Sequence, residues 1–202
     1  MKAEAVGTEV VLATRNRDKG RELAAILAGA GVRIRTLDEF PGAPEVVEDG
    51  ETCEANAIKK ALSALRFTGL PAVADDTGLM VDALGGRPGV HAARYAGAGA
   101  TYEDNWRKLL RELEGVPREK RTARFVTIAA LARPGERVEV MEGVLAGLIA
   151  EAPAGAGGFG YDPVFWVPEL GRTLAELDPT EKNRVSHRAR AFAKLKELLN
   201  SK

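Results

Sequence analysis

One cysteine, Cys53, and two histidines, His91 and His187, are the whole supply of soft metal ligands in 202 residues. A single thiol excludes an internal disulfide and any cysteine cluster for zinc, and two imidazoles do not make a histidine-rich metal site. A catalytic metal in such a chain is expected to be a hard cation held by oxygen, with Mg²⁺ first in line. Net charge is missing as well, since Lys+Arg 29 balance Asp+Glu 29. That balance gives no reason to expect nucleic acid or a membrane surface as partner. No apolar run reaches the ~20 residues of a membrane span, and the start MKAEAVGTEV lacks a signal-peptide core, so a cytoplasmic protein is expected. There is no repeat, no low-complexity tract and no linker long enough to divide the chain into independent domains. One domain over 1–202 follows, with room for two lobes and enough chain to bury ~70% of its unfolded surface.

What the chain does have is alternating α and β patterning. Glu9–Ala13 reads as a buried strand, and Asp18–Ala28 as a helix with Leu23, Ile26 and Leu27 inward, closed by Gly29 and Gly31. Val32–Leu37 alternates as a second strand, and Pro41–Gly50 is a loop bearing Glu45, Glu48 and Asp49. Thr52 caps a helix over Glu54–Arg66 with Ala55, Ile58, Ala61, Leu62 and Leu65 as its apolar stripe, stopped by Gly69-Leu70-Pro71. Ala72–Ala74 reads as a strand that ends at Asp75-Asp76. Tyr102–Leu113 is a helix presenting Trp106, Leu109, Leu110 and Leu113. Thr122–Ala132 and Arg137–Ile149 make a hairpin around Pro134-Gly135, and one helix from Glu181 to Asn200 closes the chain.

Four constellations carry chemistry. Thr14-Arg15-Asn16-Arg17-Asp18-Lys19 lies between the first strand and its helix, where free N–H groups and a lysine suit phosphate. It is not a P-loop, because the chain contains no GxxxxGKS/T. Glu48, Asp75 and Asp76 offer carboxylates for a divalent cation and for a water. Neighbouring strand residues point to opposite faces, so one of the two aspartates is expected to look into the site. Ala154–Asp162 (AGAGGFGYD) permits close backbone approach to a ligand, with Phe159 or Tyr161 placed to stack on a flat ring. Lys182 through Arg188 supplies a lysine for phosphate and, in His187 and Arg188, donors for a base carbonyl. Each has a plainer counterpart: a capped helix, a solvated acidic turn, a flexible loop, a charged helix face.

In order, TRNRDK, VVEDGETCEANAIKKA, PAVADDTGLMVDALGGRPGVHAARYAG, GGFGYDPVF and EKNRVSHR resemble the motifs of the inosine/xanthosine triphosphate pyrophosphatases. Those enzymes remove non-standard purine nucleoside triphosphates. The resemblance runs from Val10 to about Leu199; Arg15 stands where glycine is frequent, and Thr77 where serine is. It implies an α/β fold with an elongated, mixed, twisted sheet flanked by helices, two lobes with a central cleft, and a homodimer. It makes Asp76 the general base and, with Glu48, a metal ligand, with Asp75 in support. It assigns Thr14, Arg15, Asn16, Arg17, Asp18, Lys19, Lys60, Thr77 and Lys182 to triphosphate and sugar. Phe159, Gly160, Tyr161, Asp162, His187 and Arg188 fall to the purine.

The implied reaction is a Mg²⁺-assisted attack of water on the α-phosphorus, releasing monophosphate and pyrophosphate. Donors facing position 6 of the base donate to the carbonyl of hypoxanthine or xanthine and leave the amino group of adenine unpaired. Two alternatives differ in class. Against a pyrophosphatase for pyrimidine or modified nucleotides stands the resemblance of the His187-Arg188 motif to the purine enzymes. A nucleotide-binding regulatory module would have no use for Glu48 and Asp76.

Overall fold

The structure is a computed structural model that describes residues 9–200. The first eight residues, read above for a signal peptide, lie outside it. Strands β1 (Glu9–Leu12), β2 (Arg33–Thr36), β3 (Ala72–Val81), β4 (Pro88–Gly89), β5 (Thr122–Arg133), β6 (Arg137–Ile149), β7 (Phe165–Val167) and β8 (Arg172–Thr173) alternate, among the described residues, with five α-helices. These are α1 (Arg17–Leu27), α2 (Cys53–Thr68), α3 (Tyr102–Glu112), α4 (Pro179–Val185) and α5 (His187–Asn200). The sheet has eight strands in the order β2-β1-β3-β5-β6-β7-β8, with β4 on β3. The α/β expectation is borne out, as a mixed open sheet. The described residues divide into two compact units, one of residues 9–76, 128–142 and 191–200, the other of 77–127 and 143–190. Strands β3, β5 and β6 contribute residues to both.

In the first unit β1 pairs in parallel with β2 and with β3, as α1 and α2 make the crossovers that parallel neighbours need. Both faces of such strands are covered, so Val10–Leu12 of β1 is an apolar run rather than an alternation. Val10, Leu12, Leu23, Leu27, Val73, Ala129, Leu131, Phe192 and Leu195 form its core. In the second unit β4 lies antiparallel on Leu79–Met80, and β7 and β8 extend the sheet from β6 by antiparallel pairing. Leu79, Val81, Leu109, Leu113, Phe125, Leu145, Ile149 and Phe165 are central to that core.

Three expectations need correction. Asp75 and Asp76 do not end a strand: β3 continues to Val81, and both acids are buried, at 1% and 6% exposure. Thr77, Leu79 and Val81 keep a strand pattern beyond the acids, and each acid has a lysine on it, which makes burial tolerable. The inward side of α2 is Cys53, Asn56, Ala57, Ala61, Ala64 and Leu65, while Ala55 is exposed. The large residues Ile58 and Leu62 lie beside that face, not on it, because the buried positions are mostly small. The closing helix is two. Ser186 is extended (φ −64°, ψ 156°), its N–H donates to the Lys182 carbonyl to finish α4, and its hydroxyl accepts from Ala189 N–H to start α5.

Phe192 is fully buried in the first unit's core. Phe192→Ala is expected to lower unfolding free energy by about 3–5 kcal/mol in urea titrations, the usual loss for emptying a phenylalanine site.

Candidate active site

The first unit holds a buried electrostatic cluster. Asn16 caps α1: its side-chain oxygen accepts from Asp18 N–H and Lys19 N–H at 3.0 and 3.1 Å, and Thr14 accepts from Asn16 N–H at 3.2 Å. Two of the N–H groups expected to be open to phosphate are therefore taken by the cap. What remains for an anion at this turn is chiefly the charge of Lys19, whose Nζ lies 3.1 Å from an Asp75 oxygen. Arg15 and Arg17 are exposed, and the Arg15 guanidinium donates to the Ala43 carbonyl at 2.5 Å. The Asp18 carboxylate takes Arg21 at 2.6 Å.

Asp76 stands one residue on. Lys60 Nζ reaches an Asp76 oxygen at 3.3 Å and a Glu48 oxygen at 3.0 Å, so the two carboxyl groups converge on one ammonium. Asn56, one turn before Lys60 on α2, donates to the other Asp76 oxygen at 3.3 Å. The same amide accepts from Gly50 N–H at 2.8 Å, and a side chain at Gly50 would collide with it. One buried asparagine thus ties the loop that carries Glu48 to the acid on β3. Sequence reasoning missed Asn56; the available signal was an amide spaced four residues from Lys60.

Burial pushes the Asp76 carboxyl up; Lys60 and Lys19 pull against it, and Glu48 adds to the rise, leaving Asp76 above the usual aspartate range. Burial also disfavours charge on Glu48, but there the Lys60 ammonium wins and Glu48 is held low. Burial disfavours the Lys60 ammonium too, yet Asp76, Asp75 and Glu48 together keep its pKa raised. Two neighbouring carboxyls in different surroundings, one pushed up and one held low, are an arrangement acid–base chemistry can use. The Cys53 thiol is driven up to about 12 by burial and by the Asp76 charge, so it has no nucleophilic part.

Among the described residues no three His, Cys, Asp or Glu side chains gather to hold a metal. Glu48 and Asp76 suit a hard cation that draws its other ligands from phosphate oxygens and water, the usual manner for small divalent ions on nucleotides.

The second unit holds an aromatic cluster rimmed by donors. The Phe159 ring has Lys182 Nζ at 4.5 Å and the Arg188 guanidinium at 5.2 Å from its centroid, with Tyr102 at 5.9 Å. Asp162 accepts from Lys182 Nζ at 2.6 Å and from Phe159 N–H at 2.7 Å, so it positions both. Gly158 permits this: its φ is +68°, and a Cβ there would strike the Asp162 carboxylate. Gly160 has φ +66°. Tyr161, a candidate for stacking, is a core residue whose hydroxyl donates to the Ala92 carbonyl at 2.8 Å. Lys182 is buried on Asp162, in this cluster rather than with the acids of the first unit. His187 and Arg188 open α5, both 2% exposed. Arg188 donates to the Thr77 hydroxyl at 3.4 Å, Thr77 meets Thr127 at 2.7 Å, and Thr127 meets His187 Nδ1 at 2.6 Å. Thr127 also escaped the sequence reading; its one signal was a hydroxyl within an otherwise apolar stretch of β5.

The lysine-braced acids and the aromatic cluster with cationic donors belong to an α/β protein. The model of the Ham1 family matches residues 10–198, and the chain belongs to that family, the one its motifs resemble. It is 57% identical to the dITP/XTP pyrophosphatase of Geobacillus kaustophilus over 189 residues, covering 94% of this chain and 93% of that protein. It is 55% identical to the protein of that name from Geobacter sulfurreducens, over 95% of this chain and 96% of the other. Among solved structures, a HAM1 protein from Coxiella burnetii superposes with a TM-score of 0.88 at 42% identity, over 96% of this chain and all of that one.

A carboxyl whose folded pKa is raised binds its proton more tightly in the native state, so stability falls as pH rises through the window between unfolded and folded values. Above that window the ionised Asp76 destabilises the fold. Asp76→Asn is therefore expected to melt at a higher temperature than the parent at pH 7, with the gap closing below about pH 4. Calorimetric scans at both pH values test the sign.

Proposed function

We propose that this protein hydrolyses dITP, ITP and XTP to the nucleoside monophosphate and pyrophosphate, acting as one catalytic domain. The observation that carries the reading is the Asp76–Lys60–Glu48 cluster, in which two carboxyl groups converge on one ammonium. Its family, and relatives named for dITP and XTP, support the substrate class. Thr14 and Asn16 shape the turn that presents Lys19, and Lys19 and Lys60 face the triphosphate. Their ammonium groups turn partly from Asp75, Asp76 and Glu48 to offset phosphate charge, which is where such stabilisation counts most. Asp76, with its raised affinity for a proton, orients a water for in-line attack on the α-phosphorus and takes its proton. Mg²⁺, held by Glu48 and Asp76, supplies neutralisation of the phosphate oxygens when bound.

Phe159 offers a face to the purine, and His187 and Arg188 offer donors to its carbonyl groups. Adenine would bring an amino donor against donors, at a cost of about 1–3 kcal/mol for each buried group left unpaired. A homodimer, on family resemblance, and a cytoplasmic location, on composition, complete the proposal.

A panel of nucleoside triphosphates with Mg²⁺ is expected to show dITP, ITP and XTP turned over ~100-fold more efficiently than ATP or GTP. Equal turnover of ATP and ITP would overturn the substrate class. In ¹⁸O-water the label should enter the monophosphate and stay out of pyrophosphate. Asp76→Asn should reduce kcat by about 10²–10⁴-fold, the span for a lost positioned base; near-normal turnover would remove Asp76 from the mechanism.

A further inference from the structure

Glu48 stands on a segment with no regular structure of its own: residues 43–50 are neither helix nor strand. A metal ligand on such a segment keeps its place through contacts with firmer elements. Three consecutive residues make those contacts, all with α2. Glu48 meets Lys60 at 3.0 Å, Asp49 meets Lys59 at 2.7 Å, and Gly50 meets Asn56 at 2.8 Å. Asn56, Lys59 and Lys60 are neighbours on a helix surface, so the loop lies along one side of α2. The two lysine contacts are ionic, and a cation arriving at Glu48 repels the Lys60 ammonium and competes with it for the carboxylate. The Gly50–Asn56 contact joins two neutral groups and meets no such competition.

The orientation of the Asn56 amide follows from its partners. Gly50 N–H can only donate, so the atom it meets is the amide oxygen. The NH₂ group is then left for the Asp76 oxygen at 3.3 Å and the Gly50 carbonyl at 3.5 Å. Asn56 is 1% exposed, so water does not stand in for these partners. Gly50 is not among the residues of positive φ, yet a Cβ there would stand 2.6 Å from the amide oxygen. Close approach of the amide, rather than backbone conformation, is what asks for glycine at this position.

We infer that Asn56 is a positioning residue for the divalent cation: it holds the backbone two residues beyond Glu48 to an oxygen of Asp76, and so keeps the two acids together when a cation displaces Lys60. The inference rests on the proposed function in taking Glu48 and Asp76 as the metal ligands. A carboxylate has lone pairs enough to accept from Asn56 and to meet a cation as well.

Mn²⁺ is the probe, because electron paramagnetic resonance counts the unbound ion with neither nucleotide nor turnover. Asn56→Ala should weaken Mn²⁺ binding by about tenfold or more, the usual loss when a partner of a metal ligand is removed. Alanine is the better helix former, so α2 itself is not weakened. The Mg²⁺ needed for half-maximal turnover of dITP should rise by a similar factor. Gly50→Ala disturbs the same contact from the loop side and should shift Mn²⁺ binding in the same direction. Parental Mn²⁺ affinity in either variant, with a parental circular dichroism spectrum, overturns the inference. If neither variant folds, the Asn56 NH₂ signals of the parent decide. They should stay protected from hydrogen exchange when Mg²⁺ is added, and loss of protection overturns the inference. A parent that binds no Mn²⁺ would overturn the metal ligands and the inference together. Mn²⁺ binding weakened by Asn56→Ala in an enzyme that does not prefer dITP would uphold the inference and overturn only the substrate class.

Discussion

Two carboxylates buried side by side in the middle of a strand are an expense that the surroundings must meet. Asp75 and Asp76 sit on β3, each with its own lysine, Lys19 from α1 and Lys60 from α2. Removing charge from water costs several kcal/mol per ion unless it is paired and hydrogen-bonded. The positions of α1 and α2 on either side of the parallel strands are what bring those ammonium groups to the acids. The two acids differ in their partners: Asp76 shares Lys60 with Glu48 and takes Asn56 as a donor, while Asp75 is held by Lys19; burial, with Glu48 adding to it, raises the proton affinity of Asp76. The first unit's architecture thus serves one electrostatic balance, and a highly charged ligand would shift it.

The second unit solves a different problem. Phe159 must be held still while remaining half-open, and Asp162 does this by gripping its N–H and the ammonium above its ring. The Lys182 ammonium and the Arg188 guanidinium lie against an aromatic face, and both present only hydrogen-bond donors beside it.

Much of this was legible in the sequence, for identifiable reasons. β1, α1, β5 and β6 are long or strongly patterned, and the apolar period alone placed them within a residue or so. β3 was cut short because two adjacent aspartates look like an end when the lysines that neutralise them are far back in the chain, on α1 and α2. Asn56 and Thr127 were missed for the same kind of reason: each is a small polar residue whose importance comes from a partner distant in the chain. The α2 stripe slipped because large apolar residues draw the eye while alanines make the close contacts. The break at Ser186 left a trace, a serine ahead of a helical run, but the charged residues around it read equally well as one long helix.

That break has a consequence in helical phase. On one continuous helix, Lys182 and His187 would point about 140° apart, and Lys182 and Arg188 about 120° apart on the other side. A straight rod could bury at most one or two of them in a common environment. Ser186 resets the count, and all three side chains are buried, at 6%, 2% and 2% exposure. The unwound residue acts as a rotary coupling between two short helices, and the angle it sets lets three cations or donors share one unit. A single inserted or deleted residue on either side would leave each helix intact and still put the three out of step.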